Sequence, residues 1–183
     1  MEIREPPATY SAYRLLPEGA PRYQIVGGVP HLTPSPGRVH QKVSATLFQK
    51  LLAHVSSRDL GEVYYAPFDV VLSESDVVQP DILFVAKERL QIIRDGGVFG
   101  APDLVVEILS PHSARLDLVQ KLSLYARHGV REYWIIDPAN RSVDLWTSQS
   151  EALDVRCVLA HDGALQSSVL AGLVIPLGEI FSF

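Results

Sequence analysis

Two apolar segments separated by a helical pattern constrain the fold of this 183-residue chain more than any other feature. Residues 103–109 are almost continuously apolar, which is typical of a strand covered on both faces. Residues 131–137, with four consecutive apolar or aromatic residues at their centre, also indicate a buried strand, which stops at a proline. Between them, apolar residues at helical spacing predict a helix over about 113–128 that ends at Gly129. Strand, helix and strand in this order predict a parallel, right-handed crossover.

The remaining segments predict further strands and one more helix. Residues 23–32 indicate a hairpin around Gly27-Gly28, and valines and leucines recurring every four residues predict a helix from just after Pro36 to Val55. Several other segments are rich in β-branched and aromatic residues and are predicted to be strands. They are residues 62–66, 68–72, 82–86, 142–146, 154–160 and a run after 163. We therefore expect one α/β domain with a mixed sheet.

Proline divides the chain into an arm and a domain. Seven of the 13 prolines lie between Pro6 and Pro36, which favours a loop-rich N-terminal arm. We predict an arm over residues 1–22 and the folded domain over residues 23–183.

Composition and charge exclude several classes of protein. Apolar residues make up 47% of the chain, enough for a buried core, but no apolar run is long enough to span a membrane. No signal peptide is visible, and the single cysteine excludes an internal disulfide, so we expect a cytoplasmic protein without a membrane partner. The net charge of −5 counts against a protein that coats nucleic acid, but a nuclease needs only a local basic track.

Three polar residues lie inside or beside predicted buried strands. Asp81 opens a strand after a proline, and Glu107 interrupts the first apolar run. A buried carboxylate without a partner is costly, so Glu107 requires a cation, hydrogen-bond donors or a metal. Lys121 lies on the following helix, where Asp117 and Tyr125 share its stripe. Two carboxylates on neighbouring strands can bind Mg²⁺, and a nearby lysine can stabilise a charged transition state.

Each of these residues also has a structural interpretation. Glu107 could instead pair with a buried arginine, and Asp81 could be only a turn residue. Asp117 and Lys121 could form a surface ion pair, which at this spacing contributes only about 0.3–0.5 kcal/mol. Because each signal is weak alone, their combination carries the prediction.

Four motifs, QPDILFV, GAPDLVVEILSP, D-x-x-x-K-x-x-x-Y and GVREYWIIDP, occur in this order in the chain. With them the sequence resembles the Uma-type restriction-endonuclease-like proteins of the PD-(D/E)XK nuclease superfamily, from about Tyr23 to Phe183. The resemblance implies an α/β fold with a restriction-endonuclease-like mixed sheet flanked by helices and additional β-strands at both ends. It also implies a nuclease that depends on Mg²⁺ or Mn²⁺.

The resemblance further implies roles for particular residues. Asp81 and Glu107 match the two acids of the motif and would bind the metal, helped by the backbone carbonyl of Ile108. The superfamily has a lysine two residues after the second acid, where this chain has Leu109. Lys121 would take its place from the adjacent helix.

Of two other positions, one matches the family and one departs from it. His40 matches a histidine common in the family, although a solvated histidine at a helix start is the open alternative. Gln24 stands where the family usually has a glutamate. If that glutamate binds metal, this protein has a weaker site or fewer ligands.

The leading functional hypothesis is an endodeoxyribonuclease that hydrolyses DNA phosphodiester bonds with a metal-activated water. Residues 37–58 contain no Asp or Glu, and Arg38, Lys42 and Lys50 form one basic stripe that could contact DNA. A homodimer is expected, because many nucleases of this fold pair to reach both strands. The competing hypothesis is a non-catalytic module that binds nucleic acid or a protein on a nuclease scaffold.

Overall fold

Two six-stranded sheets, a two-stranded sheet and the helices around them form the described part of the chain. The structure, a computed structural model, describes residues 6, 8–33, 35–110, 120–149, 152–160 and 163–183. In chain order the elements are α1 (Tyr10–Tyr13), β1 (Tyr23–Val26), β2 (Val29–Leu32), α2 (Arg38–Arg58), β3 (Gly61–Tyr65), β4 (Val70–Ser73), β5 (Asp76–Val78), β6 (Ile82–Ala86), a 3-10 helix (Lys87–Ile92), β7 (Ile93–Arg94), β8 (Gly97–Phe99), β9 (Leu104–Ile108), α3 (Leu122–His128), β10 (Glu132–Asp137), β11 (Ser142–Gln149), β12 (Ala152–Ala160), β13 (Ala164–Gln166), β14 (Val174–Pro176) and α4 (Leu177–Ile180).

The central sheet has the strand order β12-β11-β10-β9-β6-β3. Only β9 and β10 pair in parallel among its described strands, as the apolar pattern predicts, and the other neighbours are antiparallel. The predicted mixed sheet and fold class are therefore confirmed. The predicted start of the connecting helix near residue 113, and Asp117 within it, lie outside the described residues.

One face of the central sheet is covered by α2. Of the valines and leucines predicted to form its apolar stripe, Val43, Leu47, Leu51 and Val55 are fully buried against this face, and Val39 is partly buried. Burying such a side chain stabilises the fold by about 1.5–3 kcal/mol. The helix ends at Asp59, whose left-handed backbone lets its N–H donate to the last carbonyls.

The other face of the central sheet packs against α3 and the second sheet. Val105 of β9 lies here in one buried cluster with Val70 and Val98 of the second sheet and Tyr125 of α3. Because both faces of β9 are covered, its sequence is continuously apolar, apart from Glu107.

The second sheet, ordered β2-β1-β5-β4-β8-β7, contains strands that the sequence pattern does not predict. Strands β5, β7 and β8 have only two or three residues, too few to show a period. Tyr10 of the predicted N-terminal arm packs edge-on to Phe99 of this sheet, and the N–H of Tyr10 donates to the carbonyl of Glu74. The domain boundary at residue 22/23 stays a prediction. None of the described helices is long and apolar enough to cross a membrane.

Candidate active site

The two predicted acids lie at the same end of neighbouring strands. Strands β6 and β9 are antiparallel with Ile82 opposite Val106, so the next pair along the register is Asp81 and Glu107. Opposite residues of an antiparallel pair point to the same face. Asp81 is held in place because its Oδ2 accepts a hydrogen bond of 2.7 Å from the N–H of Ile108.

Glu107 is buried and binds two side chains, that of Lys121, directly before α3, and that of Tyr125, within α3. The Nζ of Lys121 lies 2.6 Å from its Oε1, and the Tyr125 hydroxyl donates to the same oxygen at 2.8 Å. Glu107 is 4% exposed and Lys121 1% exposed, so this ion pair is shielded from water. Desolvation makes such a pair costly unless hydrogen bonds complete it, which Tyr125 does here.

Leu109 occupies the sequence position where the superfamily has a lysine, and Lys121 supplies the positive charge instead. Leu109 packs into the apolar cluster on the Glu107 face of the sheet. The cation on this face comes from Lys121, 14 residues farther along the chain. The predicted approach of Lys121 to Glu107 is therefore observed, whereas its catalytic role stays a prediction.

His40, near the start of α2, lies beside Asp81. Its Nε2 is 3.2 Å from Asp81 Oδ2, and the two side chains are 15% and 17% exposed. The imidazole is thus directed at the carboxylate rather than at bulk water. In this position His40 can hold the orientation of Asp81.

Gln24 belongs to a buried polar network just before Asp81. Its Oε1 accepts a 3.3 Å hydrogen bond from the N–H of Gln79. The Gln79 side-chain Nε2 donates to Asp69 Oδ1 at 2.6 Å and to the Tyr13 hydroxyl at 3.1 Å. Burial raises the pKa of Asp69, a shift that the Gln79 bond opposes. Gln24 therefore supports the chain that leads into Asp81.

The donor set of the site suits a hydrated Mg²⁺ ion. Within the described ranges, no three His, Cys, Asp or Glu side chains converge into a cage. Mg²⁺ does not need one, because it commonly binds one or two carboxylates and keeps several waters or substrate oxygens. Asp81 and Glu107 provide two such carboxylates, and in the described part of the chain both side-chain contacts of Asp81 are at Oδ2, which leaves its Oδ1 for other ligands.

The two ends of the predicted basic stripe on α2 differ in whether an acidic residue pairs with their charge. Arg38 and Lys42 are exposed, and neither forms an ion pair with another described residue. Lys50 instead pairs with Glu179 of α4. The half of the stripe near His40 therefore carries the uncompensated positive charge.

Asp103 follows a proline, as Asp81 does, but lies at the other end of β9. It is fully buried, and its Oδ1 accepts from Arg89 at 2.9 Å and from Arg131 at 3.2 Å. Its Oδ2 accepts from the N–H of Ala86 at 2.8 Å. These contacts make Asp103 a structural acid, and the arginine pairing considered for Glu107 is found here.

Glu132 is a second buried acid that the sequence pattern did not single out. Its Oε1 accepts from Trp134 Nε1 at 2.6 Å, and its Oε2 accepts from the N–H of Ser168 at 2.6 Å. The carboxylate thus ties the C-terminal segment to the start of β10. Its only signal in the sequence is an acid at the edge of an apolar run.

The mixed sheet with two acids at one end of adjacent strands defines a restriction-endonuclease-like α/β protein. Residues 10–178 match the Uma2 family, described as "Putative restriction endonuclease", and the chain belongs to this family. The resemblance found from the four motifs is confirmed.

A solved structure shares the fold. It is the crystal structure of a "putative nuclease belonging to DUF820" from Anabaena variabilis, 20% identical in sequence with a TM-score of 0.80. The match covers 95% of this chain and 97% of that chain. A comparison with curated proteins found no match.

Proposed function

We propose that this protein is an endonuclease that uses Mg²⁺ or Mn²⁺ to hydrolyse phosphodiester bonds of DNA. The observation that carries the proposal is the convergence of Asp81, Glu107 and Lys121 at one end of the central sheet, with Lys121 Nζ 2.6 Å from Glu107 Oε1. Oxygen ligands for a metal and a cation near the phosphate are groups that can catalyse phosphodiester hydrolysis. Family membership supports the same reaction class.

Asp81 and Glu107 would hold the metal, with the carbonyl of Ile108 as a further oxygen ligand. When bound, Mg²⁺ supplies Lewis-acid activation of water and of the phosphate. The N–H of Ile108 and the imidazole of His40 both lie at Asp81 Oδ2, so they would orient this carboxylate. A ligand held by such partners binds its ion more tightly than one free to rotate.

Lys121 would stabilise the negative charge that develops on the phosphate. Its ammonium lies in a site of low exposure, where electrostatic interactions are stronger than in water. Tyr125 shares Glu107 Oε1 with Lys121 and would keep the carboxylate oriented if the lysine turns toward substrate. The protein groups thus divide the work between metal binding and charge stabilisation.

Cleavage assays test the proposal directly. Plasmid and single-stranded DNA are incubated with the protein in Mg²⁺, in Mn²⁺ and in EDTA. We expect metal-dependent cleavage that Asp81→Asn abolishes and Asp95→Asn, the same change at an exposed turn, leaves intact. DNA binding without cleavage under every condition would instead favour a non-catalytic module.

The proposal extends to assembly and location. A homodimer would present two sites to the two strands of a duplex, and light scattering on the purified protein measures whether one forms. We also propose that the protein acts in the cytoplasm, where DNA substrates are accessible to it. Fractionation of the producing cell tests this.

A further inference from the structure

An exposed tyrosine lies beside the candidate active site. Tyr65, the last residue of β3, is 59% exposed and is the only exposed aromatic residue in the part of the chain that the structure describes. It pairs with Ile82 of β6, and the N–H of the next residue, Ala66, donates to the carbonyl of Asp81 at 3.0 Å. Given the usual spacing of paired and of consecutive residues in a sheet, the Cα atoms of Tyr65 and Asp81 are about 6 Å apart.

Helix α2 connects these two residues along one side of the central sheet. His40, Ser44 and Phe48 are spaced by four and form one stripe of the helix. The Nε2 of His40 lies 3.2 Å from Asp81 Oδ2. The ring of Phe48 packs edge-on against that of Tyr65, with 4.6 Å between the ring centroids. The surface along this stripe therefore leads from the Asp81 carboxylate to the Tyr65 ring.

The contact with Phe48 holds the Tyr65 ring in place and leaves much of it in water. Edge-to-face packing is a favoured arrangement of two aromatic rings. Among the described residues, none forms a side-chain hydrogen bond with the Tyr65 hydroxyl. A side chain that is already held loses little conformational freedom when a ligand packs against it. The ring is thus prepared to bind a flat or apolar group.

The two acidic residues nearest to Tyr65 in the sequence face other groups. Side chains alternate along a strand, so Glu62 faces away from the side on which Val63 and Tyr65 pack against α2. Asp69 accepts a hydrogen bond of 2.6 Å from the side chain of Gln79. Helix α2, against which the Tyr65 ring packs, contains no acidic residue. The helix therefore brings no negative charge to the exposed ring.

Basic residues at the start of α2 favour a phosphate chain as the ligand. Arg38 and Lys42 lie two residues on either side of His40, are exposed, and form no ion pair within the described ranges. The acid at this place, Asp81, is the one that would bind the metal, whose charge would offset its own. Cations for phosphates and an exposed ring for a sugar or base are the two kinds of surface that bind a nucleic-acid strand.

We infer that the ring of Tyr65 packs against a sugar or base of the substrate strand, next to the phosphate to be cleaved at Asp81. The inference rests on the proposed nuclease function and adds a residue that contacts the substrate outside the metal site. Since β3 is an edge strand, a second copy of the chain is the competing partner. A two-fold interface at this surface would bring the free cations of both copies together, which favours nucleic acid.

Cross-linking of the wild-type protein tests the contact without cleavage. A short single strand and the corresponding duplex carry iodouracil at one position at a time, in EDTA. Ultraviolet light joins this base to an aromatic side chain that contacts it, and mass spectrometry of the digested protein identifies the residue. We expect a cross-link to Tyr65 from at least one position. The result does not depend on the folding of any variant.

Binding affinity measures the contribution of the ring. Fluorescence anisotropy of a labelled oligonucleotide in EDTA should show about tenfold weaker binding by Tyr65→Ala, because the packing of an aromatic ring on a nucleotide is lost. Tyr65→Phe keeps the ring and should bind as the wild type does. Leu32→Ala is the matched control, since Leu32 is 64% exposed on β2 of the second sheet, and its affinity should also equal that of the wild type.

The outcomes separate this inference from the proposed function. Unchanged affinity in Tyr65→Ala, together with no cross-link to Tyr65, would overturn the contact even if the wild type cleaves DNA. Weaker binding by Tyr65→Ala alone among the three variants supports the contact, and if the wild type then never cleaves in Mg²⁺ or Mn²⁺, only the nuclease proposal is wrong.

Two other results would also overturn the inference. Binding by Tyr65→Phe that is as weak as that by Tyr65→Ala would show that the hydroxyl, and not the ring, makes the contact. A wild-type dimer that Tyr65→Ala converts to a monomer, measured by light scattering, would assign the ring to a second copy of the chain.

Discussion

Lys121 Nζ lies 2.6 Å from Glu107 Oε1, and the two side chains are 1% and 5% exposed. Since both charges have lost most of their hydration, each depends on the other and on the hydroxyl of Tyr125, which donates to the same oxygen. One contact therefore links the stability of the fold to the candidate chemistry. Its removal should be visible in unfolding and in catalysis.

Replacing the lysine should affect both properties. Lys121→Met leaves the buried Glu107 without its cation, so the free energy of unfolding should fall by about 3 kcal/mol, measured by urea denaturation. DNA cleavage should be lost because no ammonium faces the phosphate. The double variant Glu107→Gln, Lys121→Met should regain part of the stability and none of the activity. Full cleavage by Lys121→Met would leave the lysine with a structural role only.

Metal binding should stabilise the folded protein through Asp81. An ion that binds only the folded state raises the melting temperature, by an amount equivalent to about 2.7 kcal/mol at one hundred times its Kd. We expect Mg²⁺ and Mn²⁺ to raise the Tm of the wild type and of Asp95→Asn, and to leave that of Asp81→Asn unchanged. Calorimetry with and without metal measures this. An equal Tm shift in Asp81→Asn would remove Asp81 from the ligand set.

Tyr125 should position Glu107 for the metal. Tyr125→Phe removes the hydrogen bond to Oε1 but leaves Lys121 in place, so Mn²⁺ affinity should fall by about tenfold, as titration calorimetry can measure. Tyr64→Phe is the matched control, because the Tyr64 hydroxyl also donates to a carboxylate, that of Glu62, which is not a candidate metal ligand. Equal affinities in the two variants would contradict the positioning role.

The two lysines of the α2 stripe should differ in DNA binding. Lys42 forms no ion pair within the described ranges, whereas Lys50 is already compensated by Glu179. Lys42→Gln should reduce the salt slope of duplex binding by about 0.9, and Lys50→Gln by less. Anisotropy at several salt concentrations gives both slopes. Two slopes equal to that of the wild type would assign the stripe to solvent.

Asp69 should make stability depend on pH. Burial raises its pKa in the folded protein above the ordinary value of 3.8, so the folded state loses stability as the pH rises through this range. Asp69→Asn can still accept from Gln79 without a charge. The variant should be more stable than the wild type near pH 7, and this gain should disappear near pH 3, where Asp69 is protonated in both states.

Urea unfolding at the two pH values measures the difference. Asp144→Asn is a useful comparison, because burial also raises the pKa of Asp144, which lies in strand β11 of the central sheet, whereas Asp69 precedes β4 of the second sheet. A gain for Asp69→Asn that is the same at both pH values would show that the charge of Asp69 is not its cause.

Long periodic elements could be predicted from the chain alone. Helix α2 and strands β6, β9 and β10 were expected within a few residues of their observed bounds, because burial repeats along each element and leaves its period in the sequence. The two- and three-residue strands of the second sheet show no period. Their pairing depends partly on strands that are remote in sequence, because β5 pairs with β1 and β8 pairs with β4.

For the candidate site, residue type and motif order singled out Asp81, Glu107 and Lys121. The register of the sheet brings the two acids to one end, and the packing of the chain at the start of α3 brings Lys121 to Glu107. Sequence could not distinguish the roles of the two acids that follow prolines. Asp103 is structural because Arg89 and Arg131, 14 and 28 residues away, meet it in the folded protein. Contacts of this kind form only when residues far apart in the sequence come together in the fold. Only the tertiary structure therefore decides which buried carboxylate is neutralised by arginine and which can bind a ligand.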